Sequence, residues 1–203
     1  MIFGFISCIL LAAGESTRMG SPKPLLPWPG GNLIQYHLRE LTAAGADQIV
    51  VVLGHEAERV LPYVKGEGIR AAVNERYKEG RATSLRAGAS AISNAPYTIL
   101  VLSVDQPRPR AIIEAVLRAH QAGDALITIP TYCGRRGHPP AFDGSLLSEL
   151  ASVTDETLGL RAVMQRHAPD IREVAVGSPF VLLDINTPQD YERARLAFAT
   201  EQP

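Results

Sequence analysis

The chain has 203 residues, 46% of them hydrophobic and 20% charged, with 20 Lys and Arg against 21 Asp and Glu and a formal net charge of −1. This composition excludes a disordered or collagen-like chain, and the absence of a basic excess argues against duplex nucleic acid or an anionic membrane surface as partner. The two cysteines, Cys8 and Cys133, form no Cys-x-x-Cys pair and lie outside ligand spacing of any histidine, which argues against structural zinc and a disulfide framework.

In chain order, the first apolar run, Ile2–Leu11, has strand character. Met1–Ala13 as a whole has the apolarity of a signal-peptide core, but it lacks a basic n-region and is too short to span a bilayer, so a cytoplasmic protein is expected. Helical spacing follows over Asn32–Ala44, then a strand over Gln48–Leu53, a helix over Ala57–Val64, a strand over Ile69–Val73 and a helix over Ser84–Ile92. Thr98–Ser103 and Ala125–Pro130 are the next strands, separated by a helix over Arg110–Ala122 whose Ile112, Ile113, Val116 and Leu117 share one face. Thr131–Pro140 is dense in Gly, Arg and Pro and predicts a hairpin or excursion. Helices near Ser145–Leu150 and Leu158–Arg166, strands at Ile171–Val176 and Phe180–Asp184 and a helix over Pro188–Phe198 complete the pattern. Strands buried on both faces and alternating with helices predict an α/β fold: a three-layer, Rossmann-like, mostly parallel sheet with helices on both faces, in one domain over residues 1–203. Ligands of such sheets bind outside the carboxyl ends of the strands.

Five segments there carry candidate chemistry. The loop Leu11-Ala12-Ala13-Gly14-Glu15-Ser16-Thr17-Arg18-Met19-Gly20-Ser21-Pro22-Lys23-Pro24-Leu25-Leu26-Pro27 joins small residues, whose amides a ligand can approach, to the cations Arg18 and Lys23. A polyphosphate needs that combination; the alternative is a surface turn with two solvated cations. Neither G-x-G-x-x-G nor G-x-x-x-x-G-K-[ST] is present, which demotes a dinucleotide oxidoreductase and a P-loop NTPase. In Glu79–Gly88, Gly80 permits a tight approach and Thr83 or Ser84 can cap a helix. Asp105, directly after a strand, offers magnesium a hard oxygen or serves as a turn residue ahead of Pro107. Thr187-Pro188-Gln189-Asp190 has the form of a helix cap. Gly134-Arg135-Arg136-Gly137-His138-Pro139 can either meet an anionic acceptor or form a solvated hairpin tip. His37, His55, His120 and His167 have no partners nearby in sequence and are expected to be structural or surface residues, and Trp28 to anchor the first loop by packing.

The pattern L-A-A-G-x-S-x-R-M-G-x-x-K-x-L-L-P over Leu11–Pro27 resembles the signature loop of the MobA-like nucleotidyltransferases, and its Ala-Ala-Gly form is similar to the molybdenum cofactor cytidylyltransferases. The resemblance implies that Arg18 and Lys23 contact nucleotide phosphates and act with Asp105 in catalysis, while Leu11, Ala12, Ala13, Gly14, Gly80 and Ser84 line the nucleotide. It assigns magnesium to Asp105 and to Asn186, the position before Thr-Pro that is often aspartate in relatives, and leaves Asp184 as the alternative carboxylate. G-R-R-G-H-P is similar to the cofactor cytidylyltransferases in particular, which puts Arg81, Arg136, His138 and Asp184 toward the acceptor. The N-terminal part would then bind nucleotide and residues 131–170 would be an acceptor-side excursion. The implied reaction transfers CMP from CTP to the phosphate of molybdenum-carrying molybdopterin and releases pyrophosphate, with a molybdenum hydroxylase as possible recipient and neither nucleic acid nor membrane as partner. The guanylyltransferase relatives carry Gly-Gly where this chain has Ala13-Gly14. Sugar- or polyol-phosphate cytidylyltransferase, molybdenum cofactor guanylyltransferase, an oxidoreductase on the same scaffold and a non-catalytic nucleotide-binding protein are the competing readings.

Overall fold

A computed structural model describes residues 4–200. The strands are β1 (Ile6–Ala12), β2 (Pro27–Trp28), β3 (Gly31–Asn32), β4 (Gln48–Leu53), β5 (Ile69–Val73), β6 (Thr98–Ser103), β7 (Ile127–Tyr132), β8 (Arg135–Arg136), β9 (Ala141–Asp143) and β10 (Ile171–Ala175). The helices are α1 (Leu33–Ala43), α2 (Ala57–Val60), α3 (Arg81–Ser90), α4 (Arg110–Gln121), α5 (Leu147–Leu150), α6 (Leu160–Arg166) and α7 (Pro188–Thr200). The main sheet has the order β10-β7-β9-β6-β1-β4-β5, with β8 paired to β7; β2 and β3 form a separate hairpin.

β1 shows why two helical layers are needed. Its Cys8, Leu10 and Ala12 face a cluster with Leu33 and Leu41 of α1, Ile113 and Val116 of α4 and Phe198 of α7. Ile9, between them, faces the opposite cluster with Leu85 of α3, Leu150 of α5 and Val163 of α6. Alternating side chains on a strand buried on both sides require cover on both sides, and the three-layer architecture follows. The chain leaves β1 for β4 and β5 on one side, then returns to β6 on the other. The switch point therefore lies beside β1, and the register brings Ala12 level with Leu53 and Leu11 level with Ser103.

The strands at 48–53, 69–73 and 98–103 and the helix at 110–121 follow the sequence pattern closely. Three expectations change. Met1–Phe3 of the first predicted strand lie outside the described residues, and the strand runs Ile6–Ala12. The predicted Thr131–Pro140 excursion is the β7–β8 hairpin followed by a turn into β9, an antiparallel strand inserted between β6 and β7 that sequence reading missed. Phe180–Asp184 is no strand. Pro179–Leu182 forms a 3₁₀ turn, started by Ser178, whose hydroxyl accepts from Phe180 N. The Leu183 carbonyl is taken by the Arg108 side chain, and the Val181 carbonyl by Arg108 together with His138 N, in place of a strand ladder.

Helix α3 lies close on the sheet because Gly88 has no side chain: a Cβ there would stand 2.5 Å from a methyl of Ile9 and 2.9 Å from one of Val52. Gly88→Val should therefore cost about 3 kcal/mol through overpacking, read as a lower urea midpoint with an unchanged slope. An unchanged midpoint would mean that α3 does not pack this closely.

Candidate active site

The first loop folds back on itself. Ser16 adopts a left-handed conformation with φ 55°, its carbonyl accepts from Met19 N at 2.8 Å, and its hydroxyl accepts from Lys23 N at 3.1 Å. The β2–β3 hairpin that follows buries Trp28 against Tyr36, Tyr191 and Phe198, while the Tyr191 hydroxyl donates to the Pro27 carbonyl at 2.5 Å. Trp28 thus anchors the loop by packing, which ties α7 to its carboxyl end. Backbone bonds fix the other end: His55 N donates to the Ala13 carbonyl at 3.1 Å and Val104 N to the Leu11 carbonyl at 2.9 Å.

Asp105 is held from both sides. Its carbonyl accepts from Ile185 N at 2.8 Å, and the carbonyl of the preceding Val104 accepts from His37 Nε2 at 2.9 Å. The Lys23 ammonium reaches Asp105 Oδ2 at 3.0 Å, whereas Asp105 Oδ1 is buried without a hydrogen-bond partner among the described residues. Arg18 approaches the Asn186 side-chain oxygen at 3.5 Å. Asn186 precedes α7, whose start is a reciprocal cap: Thr187 N donates to Asp190 Oδ2 at 3.0 Å and Asp190 N to the Thr187 hydroxyl at 3.1 Å.

These groups surround a cavity of about 310 Å³. Leu11, Ala12, Ala13, Gly14, Arg18, Lys23, Arg81, Ser84, Asp105 and Asn186 all line it, joined by Tyr77, which the sequence did not single out. Arg18, Lys23 and Arg81 face the single carboxylate Asp105, so the cavity is locally positive in a chain of net charge −1. A second cavity of about 460 Å³ shares Leu11, Arg81 and Ser103 with the first. It adds His138, Asp184, Gln106, Asp155 and Arg161 over an apolar floor that includes Leu85, Val101 and Met164.

Three sequence assignments sit differently. Arg136 lines neither cavity; it pairs with Glu173 of β10 at 2.7 Å. Gly80 also lines neither: with φ 127°, its missing Cβ makes room for Asp155, whose carboxylate would be 2.1 Å away. Asp155 accepts from Ala82 N at 3.0 Å and so caps α3 from a distant segment, where Thr83 or Ser84 had been expected to cap. Asp184 accepts from Gln106 Nε2 at 3.0 Å and lines the second cavity only, leaving Asn186 as its neighbour at the first.

Arg108 is fully buried and was also missed. Its guanidinium donates to the carbonyls of His138 at 3.0 Å, Pro107 at 3.0 Å, Leu183 at 2.8 Å and Val181 at 3.1 Å. Burial lowers its pKa to about 10, opposed by the charges of Asp184 and Asp105, so it remains a cation at neutral pH. Burial, helped by the Arg108 charge, also lowers the His138 pKa and keeps that imidazole neutral.

Among the described residues no group of three His, Cys, Asp or Glu side chains could hold a metal alone. The buried, partnerless Asp105 Oδ1, in a cavity that Asn186 also lines, nevertheless fits magnesium, which keeps several waters and uses one or two carboxylates together with substrate phosphates. No described helix is long and apolar enough to cross a membrane.

Residues 8–171 match the MobA-like NTP transferase domain. Nicotine blue oxidoreductase of Paenarthrobacter nicotinovorans is 31% identical, over 79% of this chain and 82% of its own. Molybdenum cofactor cytidylyltransferase of Escherichia coli K12 is 25% identical, over 94% of this chain and 95% of its own. This chain also spans 37% of the length of the bifunctional protein GlmU of Pelobacter propionicus, at 31% identity. Rv0371c of Mycobacterium tuberculosis H37Rv superposes with a TM-score of 0.81 at 30% identity, covering 97% of this chain and all of that one, and its crystal structure has been described in complex with manganese.

His37 gives the site a pH signature. Burial lowers its pKa from 6.5 to about 4, so the unfolded chain takes up a proton that the folded one refuses as pH falls through that interval. Stability is complete above pH 6.5 and should decline by about 3 kcal/mol between pH 6.5 and 4 from this group, with His120 and His138 adding in the same direction. Urea midpoints across that range check the decline, and His37→Gln, which cannot titrate, should flatten it in part.

Proposed function

The chain belongs to the MobA-like NTP transferase family, and within it we propose that it transfers CMP from CTP to the terminal phosphate of molybdenum-carrying molybdopterin, in the cytoplasm, with release of pyrophosphate. The observation that carries the reading is Asp105, which offers one oxygen to Lys23 and keeps the other buried and unpaired beside a cavity lined by Arg18, Lys23 and Arg81. A triphosphate supplies the negative charge that this cavity lacks. The second cavity sets Arg81 and Arg161 and a neutral His138 over an apolar floor, with its carboxylates Asp155 and Asp184 already accepting from Ala82 N and Gln106 Nε2, which supports a flat heterocycle bearing a phosphate as its occupant. The cytidylyltransferase relative, matched over nearly its whole length, supports that acceptor.

In this reaction the acceptor phosphate oxygen forms a bond to the α-phosphorus as the bond to pyrophosphate breaks. That oxygen is already ionised at neutral pH, so no protein base is required. Held by Asp105 and Asn186, magnesium would act as a Lewis acid on phosphate oxygens. Lys23 spends one donor on Asp105 and has two left for phosphate oxygens. Arg18 adds a second cation, and the loop amides after Ala12 offer further donors on the side where pyrophosphate charge develops. Arg81, shared by both cavities and donating to Ser103 at 3.3 Å, stands where the acceptor phosphate and the nucleotide must meet. The chain's contribution is thus positioning and charge stabilisation. Delivery of the product to a molybdenum hydroxylase would be the next step.

A second reading, redox catalysis on this scaffold, is favoured by the 31% identity to nicotine blue oxidoreductase. Both are tested by magnesium-dependent pyrophosphate release from CTP, GTP, ATP and UTP, with and without molybdenum-loaded molybdopterin. CTP-specific release that needs the cofactor supports the proposal, whereas release with a sugar or polyol phosphate moves the acceptor. Nucleotide-independent turnover of a dye by protein carrying visible flavin or nicotinamide absorption overturns it. Lys23→Ala should slow the transfer by on the order of 10²-fold, about 3 kcal/mol of transition-state stabilisation; a loss of only a few-fold would remove Lys23 from the mechanism.

A further inference from the structure

We infer that Asn74 sets the polarity of the Ser84 hydroxyl, making it a dedicated hydrogen-bond donor to the nucleoside and making Asn74 the positioning residue behind base selection; the inference rests on the nucleotide reading above. Asn74 directly follows β5, is buried, and uses its whole amide. Its Oδ1 accepts from Arg76 N at 3.0 Å. A backbone N–H can only donate, so this bond fixes which end of the amide is oxygen. Its Nδ2 must then be the donor at 2.9 Å to both Thr83 Oγ1 and Ser84 Oγ.

The two hydroxyls dispose of their protons differently. Thr83 donates back to the carbonyls of Gly80 at 2.8 Å and Arg76 at 3.0 Å, and faces no ligand. Ser84 accepts from Asn74 but has no acceptor for its own proton among the described residues, although it is buried. It lines the proposed nucleotide cavity together with the small residues of the first loop. With Asn74 engaging one lone pair and no protein acceptor for its proton among the described residues, the hydroxyl donates into the cavity, and a bound ligand that displaces water there must accept that proton or leave it unpaired at a cost.

The base edges differ in what they offer that proton. Cytosine presents adjacent acceptors at N3 and O2, while guanine presents N1–H and N2–H donors on the matching edge. A site built to donate rejects the base that also donates, because both groups then lie buried and unpaired. Ser84, held by Asn74, thereby favours CTP over GTP on grounds independent of Ala13.

Asn74→Asp is nearly isosteric and inverts the polarity. The carboxylate keeps the bond from Arg76 N, draws the Ser84 proton to itself, and turns a Ser84 lone pair toward the ligand. We expect calorimetric affinity for CTP, measured without acceptor, to fall about tenfold in Asn74→Asp and the CTP-to-GTP affinity ratio to fall with it. Ser84→Ala should lower the same ratio, and Asn74→Asp should change nothing further in that background. Equal loss for both nucleotides, or an Asn74→Asp effect that persists without the Ser84 hydroxyl, would overturn the inference. Should Asn74→Asp fail to fold, judged by its thermal transition, an unchanged CTP-to-GTP ratio in Ser84→Ala overturns it alone. Absence of any nucleotide binding by the parent protein would instead overturn the nucleotidyltransferase reading and this inference with it.

Discussion

Arg108 is a cation enclosed by protein whose hydrogen bonds all go to backbone carbonyls, those of Pro107, His138, Val181 and Leu183. These belong to the loop after β6, the turn into β9 and the 3₁₀ turn before α7. Each segment carries one of Asp105, His138 and Asp184, so a single guanidinium fixes the spacing of groups that lie far apart in sequence. Hydrogen bonds to a charged donor contribute about 1.5–3 kcal/mol each, and they offset the desolvation of the cation. The nearby negative charges of Asp105 and Asp184 help retain its proton. The same interaction helps explain why Phe180–Asp184, apolar enough for a strand, is free to leave the sheet: Arg108 takes the carbonyls of Val181 and Leu183, His138 N donates to the Val181 carbonyl as well, and Leu183 N closes the turn on the Phe180 carbonyl.

On that frame the first cavity concentrates positive charge. Lys23 is drawn onto Asp105 because the loop turns at Ser16, and the loop stays turned because Trp28 is buried under α1 and α7. Under the proposed function, a nucleotide entering the cavity would find a lysine with donors to spare and a carboxylate oxygen without a partner among the described residues. Such an arrangement loses little by reorganisation when charge develops on phosphate, which is the condition for effective electrostatic catalysis.

Much of this was legible in the residues. Strand-length runs buried on both faces gave β4 and β6 their limits, whereas β5, an edge strand whose Val73 is exposed, has its predicted limits without the predicted burial; the strand-end rule located Asp105 and the Ala12–Lys23 loop from the residues alone. The illegible parts share one physical cause: they are partnerships between side chain and backbone across long sequence separations, which leave no periodic trace. Arg108 sits between two prolines in what reads as a turn. Asp155 caps α3 from 73 residues away, and Gly80, which suggested an opening for ligand, is the space that this cap requires. β9 has three residues, too few for alternation to register. Asn74 could have been found, since it ends a parallel strand on the side where ligands bind.

Asp155 joins the two halves of the crevice. By accepting from Ala82 N it holds the segment leading into α6, which brings Arg161 and Met164 to the second cavity, against the first turn of α3, which brings Arg81 and Ser84 to the first. Gly80 supplies no capping side chain, so the start of α3 depends on that distant carboxylate. The wall that carries Arg161 and Met164 and the wall that carries Arg81 and Ser84 are therefore linked through one hydrogen bond, so a displacement of the segment leading into α6 is passed to the start of α3.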